Sequence, residues 1–159
     1  MNRNGGFTLV ELMITLAVVA ILATIAVPGF WNLIQNNRVT TQTNELVSAL
    51  NLARSEAIKR GIEVRVTPVG GDFADGWCVH LGVACAGNDI IREYTEMRRM
   101  AVNGSPATLR FDGRGEKIAP GGTLLIRIQP DDCTAGTAGR ARFVEIINTG
   151  RVSVTRTDC

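Results

Sequence analysis

The chain opens on a nearly unbroken apolar run. Between Phe7 and Phe30 the only formally charged side chain is Glu11. A helix of about 20 apolar residues spans a bilayer, so this run is long enough to cross one. Past Pro28 the pattern changes. Leu46, Leu50, Ala53 and Ala57 recur at spacings of four, three and four, which is one helical face. Glu45, Ser48, Asn51, Ser55 and Lys59 fall largely elsewhere. Glu56 and Arg60 stand i, i+4 in the favourable order, and Gly61 follows as a helix stop. The pattern predicts one helix from Phe7 to about Arg60, bent near Pro28. Its first half is apolar nearly all round, and its second half carries one apolar stripe suited to lie against a sheet.

After Gly61 the period falls toward two. Strands are predicted over 63–67, 77–81, 90–95, 107–111, 123–129, 143–148 and 151–156. Gly104-Ser105-Pro106, Asp112-Gly113, Pro120-Gly121-Gly122 and Thr149-Gly150 supply turn chemistry between them. The fold class predicted is α+β: a long N-terminal helix with a membrane-spanning first half, packed on an antiparallel β-sheet C-terminal domain.

Composition refines this picture. The 159 residues suffice for one small domain plus an extra element. With 5% aromatics and 17 glycines, the β domain is expected to be turn-rich with an aliphatic core. A net charge of +2 makes no global demand for nucleic acid. The four cysteines include no CxxC pair and His80 is the only histidine, so a zinc site of normal spacing is not expected. An even cysteine count beyond a membrane segment points to disulfides in an oxidising compartment. Four cysteines allow three pairings.

Enzyme chemistry finds no footing. His80 sits alone between two cysteines, and no Ser/His/Asp set has motif context. The pairs Gly70-Gly71 and Gly121-Gly122 do not lead from a strand into a helix, so neither is a phosphate loop. Asp131-Asp132 lacks calcium-loop spacing and reads as a solvated turn. No cofactor and no metal are expected.

Glu11 remains to be explained, because an acid within hydrocarbon costs about 2.5–3.5 kcal/mol on insertion scales. Arg3 gives the basic start of a secretory signal, but the small pair Gly5-Gly6 precedes the apolar stretch instead of following it. A plain anchor accounts for length and orientation but not for the acid. A cut between Gly6 and Phe7 would create an amine on Phe7. That amine could pair with the Glu11 carboxylate of a neighbouring subunit and favour side-by-side packing with an axial offset.

The stretch GGFTLVEL resembles the class III signal of type IV pilins and type II secretion pseudopilins. The resemblance implies cleavage after Gly6 by a prepilin peptidase and N-methylation of Phe7. It also implies an assembly role for Glu11 and a helix-bending role for Pro28. The organisation it implies is a leader over 1–6, a transmembrane and assembly helix over 7–30, and a pilin-like globular domain over 31–159 that includes the second half of the helix. Three further stretches resemble the GspH/FimT/FimU branch: LARSEAIKR at 52–60, LRFDGRG at 109–115 and IINTGRV at 146–152.

That branch implies a minor pilin of the tip or priming complex, supporting pilus assembly and twitching motility. Its partners would be other minor pilins, the major pilin, prepilin peptidase and the inner membrane. The C-terminal domain would stand in the periplasm and later on the pilus. The alternatives are a type II secretion pseudopilin in a short periplasmic pseudopilus, and a pilin that binds DNA during natural transformation. DNA-receptor relatives carry Gly-Arg-x-Arg in a basic C-terminal region. Here Gly150-Arg151-Val152-Ser153 lacks the second arginine, whereas Gly139-Arg140-Ala141-Arg142 fits. Arg140 and Arg142, two apart and so on one face, are therefore the candidate phosphate contacts, with Arg151 as support. Arg98 and Arg99 are weaker candidates beside Glu93 and Glu96. In the last strand, parity points Val152 and Val154 to the core. For the cysteines the favoured pairing is Cys78 with Cys85, close in sequence, and Cys133 with the terminal Cys159.

Overall fold

The computed structural model describes residues 7–159; the leader, and with it the Gly6 side of the expected cut, lies outside the described residues. A single helix, α1 (Leu9–Arg60), runs unbroken through Pro28, whose side chain is also outside the described set. The chain forms two compact units that part between Asn36 and Asn37. In the first unit the large apolar side chains, among them Leu9, Ile14, Ile21, Ile25 and Phe30, face outward. Their burial requires an apolar surrounding that the chain does not itself supply.

In the second unit α1 turns one stripe inward. Val39, Thr43, Leu46, Leu50, Ala53 and Ala57 are buried at alternating spacings of four and three. The stripe thus begins two turns before the Leu46 start read from the pattern, because Thr43 interrupts its apolar character without leaving the face.

Nine strands follow: β1 (Val64–Pro68), β2 (Trp77–His80), β3 (Ile90–Tyr94), β4 (Met100–Asn103), β5 (Leu109–Phe111), β6 (Lys117–Ala119), β7 (Leu124–Pro130), β8 (Ala141–Ile146) and β9 (Val152–Thr157). They form two antiparallel sheets, a five-stranded one in the order β3-β2-β1-β5-β6 and a four-stranded one in the order β4-β7-β8-β9. The predicted single sheet is therefore two. Seven strands fall where alternation placed them, and β4 and β6 are additions.

Register assigns the faces. Val66 lies opposite both Val79 and Leu109, Val64 opposite Phe111, and Trp77 opposite Pro68 and Tyr94; all of these are buried. In the other sheet Ile126 pairs with Val144, which pairs with Val154, and Ile146 pairs with Val152. Val154 has the parity read from the sequence but is 42% exposed, because β9 is an edge strand. β2 is buried along its whole length. On its outer face Cys78 and His80 are covered where the loop after β2 brings Cys85 back.

Candidate functional site

The segment from Phe7 onward begins with a helix cap. The Thr8 carbonyl accepts from Leu12 N at 3.1 Å, and Thr8 Oγ1 accepts from Glu11 N at 3.2 Å. The same hydroxyl donates to Glu11 Oε2 at 3.5 Å. Thr8 and Glu11 thus form a partial capping box, with an acid where the helix dipole favours one. The signal was present as T-x-x-E and marks Thr8 as a residue the sequence reading passed over. Phe7 is 80% exposed. Among the described residues no cation pairs with Glu11. The helix that carries these residues is long and apolar enough to cross a membrane.

Disulfides join Cys78 to Cys85 and Cys133 to Cys159, with Cα–Cα separations of 6.2 and 5.5 Å. The first lies against Thr67 and His80. Thr67 Oγ1 and His80 Nε2 are 2.8 Å apart. Burial holds the imidazole below its ordinary pKa, against a smaller upward pull from the Gly82 backbone. The second closes a C-terminal knot. Cys159 N donates to Thr137 O at 3.0 Å, and Arg127 Nη2 donates to Asp158 O at 2.8 Å.

The three arginines proposed for DNA do not assemble into a cationic face. Arg140 is 14% exposed and its Nη2 lies 3.1 Å from Asp132 Oδ1. Arg142 shares the parity of Val144 and Ile146, so it points toward α1. It donates to Gly139 O at 3.0 Å, Ala141 O at 2.9 Å and Thr40 Oγ1 at 3.2 Å. Burial, then the like charge of Arg156, pushes its pKa down. Only Arg151 is exposed. Phosphate contact needs accessible cations, and two of these three are engaged within the chain. Asp131 and Asp132 are exposed, as a solvated turn should be, yet both face arginines, Arg99 and Arg140.

One junction went unread in the sequence. Arg54 Nε donates to Gly115 O at 3.0 Å and Arg54 Nη2 to Thr149 O at 3.1 Å. A single side chain on α1 thereby joins the turn after β5 to the turn between β8 and β9. Its signal was a cation four residues past Leu50 and three before Ala57, inside the apolar stripe. The turns approach so closely that glycine is required. A Cβ on Gly113 would stand 2.6 Å from the Gly61 backbone, and one on Gly150 (φ +75°) would run into Gly115 O. The stretches at 52–60, 109–115 and 146–152 are therefore one contact in space. Nearby, the buried Lys117 ammonium donates to Pro120 O, to Gly122 O at 2.6 Å and to Asn148 Oδ1 at 3.5 Å.

The family described as Type II transport protein GspH matches residues 42–150, and the prokaryotic N-terminal methylation motif matches residues 1–27. A fimbrial protein of Pseudomonas aeruginosa is 44% identical over 64 residues, 40% of this chain and 41% of that protein. The type IV major alpha-pilin of Moraxella bovis is 44% identical over 48 residues, 30% of each chain. The chain thus spans about two fifths or less of the length of these curated relatives. The crystal structure of the type IV minor pilin FimU of Pseudomonas aeruginosa aligns with a TM-score of 0.63 at 19% identity, covering 75% of this chain and 89% of that one. At that identity the likeness concerns the fold.

Proposed function

Because the chain belongs to the GspH family of pilin-like proteins, we propose that it acts as a minor type IV pilin. In this reading a prepilin peptidase cuts after Gly6 and methylates Phe7. Residues 7–30 hold the product in the inner membrane with the C-terminal domain in the periplasm. The subunit then joins other minor pilins and the major pilin in the fibre, at its tip or priming complex. Its work is structural, with no catalytic step.

The observation that carries the reading is Glu11. It is the one charged side chain in the apolar, outward-facing segment from Phe7 to Phe30, and among the described residues it has only the Thr8 hydroxyl for company. A carboxylate there is costly in lipid and gains a partner when a neighbour's Phe7 amine arrives. Pro28 lacks an amide hydrogen, so it weakens the helix where the membrane segment ends and lets packed subunits adjust.

Intact mass of the mature protein should show loss of residues 1–6 and gain of one methyl group. Retention of Arg3 would end the pilin reading. Glu11→Ala should insert normally yet lose co-purification with the other pilins. Undiminished recovery would give the acid a different purpose.

A second reading has its own support, since the family description names type II transport. A pseudopilus subunit would cross-link to secretion pseudopilins in cells, whereas a pilus subunit would cross-link to the major pilin.

A further inference from the structure

The two sheets have four edge strands, and three of them are guarded. β3 is offset from β2 by a register shift at Val79/His80 and carries the exposed charges of Arg92 and Glu93. β4 has four residues and β6 three. Short, bulged or charged edges resist further strand pairing. β9 is different. It runs six residues in unbroken register with β8, and among the described residues no strand lies on its other side.

The hairpin turn shows which backbone groups point to that free side. Ile147 N donates to Arg151 O at 3.2 Å, so residues 147 and 151 are a hydrogen-bonded pair. Such pairs alternate along an antiparallel ladder. Ser153, Thr155 and Thr157 therefore bond to β8, opposite Glu145, Phe143 and Ala141. The N–H and C=O groups of Val152, Val154 and Arg156 point away from it. The side chain of Val154 is 42% exposed beside them. Arg156 lies directly opposite Arg142, and like charges in that relation repel. Arg156 donates to Gly139 O at 2.7 Å, and Arg142 donates to carbonyl and hydroxyl oxygens. Among the described residues no carboxylate pairs with either arginine.

We propose that the free edge of β9 takes an added strand from a partner protein: an extended segment antiparallel to β9, apolar opposite Val154 and carrying a carboxylate opposite Arg156. Antiparallel pairing continues the order of the sheet. Main-chain hydrogen bonds to residues 152, 154 and 156 supply affinity, and alternate side chains supply selectivity. The added strand covers Val154 and sets an acid beside the Arg142–Arg156 pair. A second copy of β9 fits less well, because its six residues include an arginine and no acid.

The test uses the full chain, disulfides intact, in detergent micelles. The probe is the capped peptide Thr-Glu-Thr-Val-Thr-Val-Thr. In antiparallel register its acid stands opposite Arg156 and its valines opposite Val154 and Val152. The expected result is saturable binding, with amide hydrogen exchange by NMR slowed at Val152, Val154 and Arg156 and unchanged at Ser153 and Thr155. Lysine in place of the peptide's glutamate should weaken binding about 3- to 10-fold, and Arg156→Glu should reverse that preference. Val154→Pro deletes one edge donor and spares the ladder to β8, so it should lower the affinity about 5- to 10-fold. Near-ultraviolet circular dichroism of the buried Trp77 checks the fold of each variant. If Val154→Pro is loosened, the charge reversal at Arg156 carries the test. No saturable binding by the wild-type chain, equal affinity for the two peptides, or free exchange at residues 152, 154 and 156 in the complex would each overturn the proposal. Self-association of the chain that Val154→Pro abolishes would also overturn it, by giving the edge to a second copy.

Discussion

The two units treat polar groups in opposite ways. In the N-terminal one, a single carboxylate stands in an exposed apolar helix and is touched only by the Thr8 hydroxyl. In the C-terminal one, cations that look available in sequence are closed on acceptors of the same chain: Arg54 on two turn carbonyls, Lys117 on three oxygens, Arg142 on Gly139, Ala141 and Thr40. A residue type alone therefore does not announce a binding site. What matters is whether its charge is already met within the chain: these three cations are met, whereas Glu11 meets no cation among the described residues. Substitutions in the closed region should change stability, and substitutions in the open one should change association.

The sharpest way to break this contrast is at the Arg54 junction. Gly150→Ala places a Cβ against Gly115 O at a φ of +75°. It should cost at least about 3 kcal/mol, combining left-handed strain with overpacking. Arg54→Ala should cost about 2–4 kcal/mol by leaving two carbonyls without their charged donor, and Arg54→Lys should recover little because one ammonium does not reproduce the guanidinium fork. Denaturant unfolding of the full chain in micelles measures all three. Stability unchanged in Gly150→Ala would mean that the turns do not lock against the helix.

The disulfides come next. Replacing Cys133 and Cys159 together with serine should cost about 3.5 kcal/mol and replacing Cys78 and Cys85 about 2.5 kcal/mol, on loop-closure entropy alone. The second figure is a floor here. The loop that the Cys78–Cys85 bond closes covers a fully buried His80, so opening it should also expose that imidazole. Chemical unfolding of the two double variants ranks them. Equal stability in wild type and the Cys78/Cys85 variant would show that the loop covers nothing of consequence.

Much of this fold could be read from the chain, and the exceptions have physical causes. The helix showed itself through a stripe at spacings of three and four, and seven strands through alternation. β4 was hidden because Met100–Asn103 is four residues long and follows two arginines. β6 was hidden because its buried position is held by Lys117, so a cation occupies a core position. Two sheets instead of one could not be inferred, since periodicity fixes the faces of a strand and not its neighbours. At the candidate site the motif Gly139-Arg140-Ala141-Arg142 drew attention outward. The parity of Arg142 with Val144 and Ile146 already pointed inward, toward the helix.

That parity yields a smaller effect. If Arg142 serves the fold, Arg142→Gln should cost about 1–2 kcal/mol of stability through its lost charged hydrogen bonds. It should also leave DNA affinity unmoved, at no better than millimolar near physiological salt. Mobility shift with the detergent-solubilised chain measures the second half. A micromolar complex that Arg140→Gln and Arg142→Gln together abolish, with the log–log salt slope flattened by about 1.8, would make the chain a DNA receptor and overturn the contrast at its centre.

The smallest effect is a pH dependence within the same closed region. Asp112 opens the turn that Arg54 clasps. Its carboxylate accepts from Glu116 N at 2.9 Å and from Arg114 N at 3.0 Å, with the Arg114 guanidinium alongside. The Glu116 amide is the leading cause that holds its pKa below the usual 3.8, opposed by desolvation and helped by the Arg114 amide and guanidinium. The folded chain therefore binds fewer protons at this site than the unfolded chain as the medium is acidified through that range. Unfolding free energy rises with pH wherever the unfolded state holds more protons. The contribution is thus complete above the unfolded carboxylate's pKa and is lost as pH falls through the depressed folded value. Asp112→Asn keeps a side-chain carbonyl that can accept the Glu116 and Arg114 amides but cannot titrate. It should be slightly less stable at neutral pH, and its stability should fall less steeply between about pH 5 and pH 2.5. Glu56, whose pKa Arg60 and Lys59 also depress, should supply a remaining slope. Melting temperatures of wild type and variant across that range provide the comparison. Parallel curves would mean that the turn holds its shape without the charge on Asp112, and that the closed region depends on Arg54 and its glycines alone.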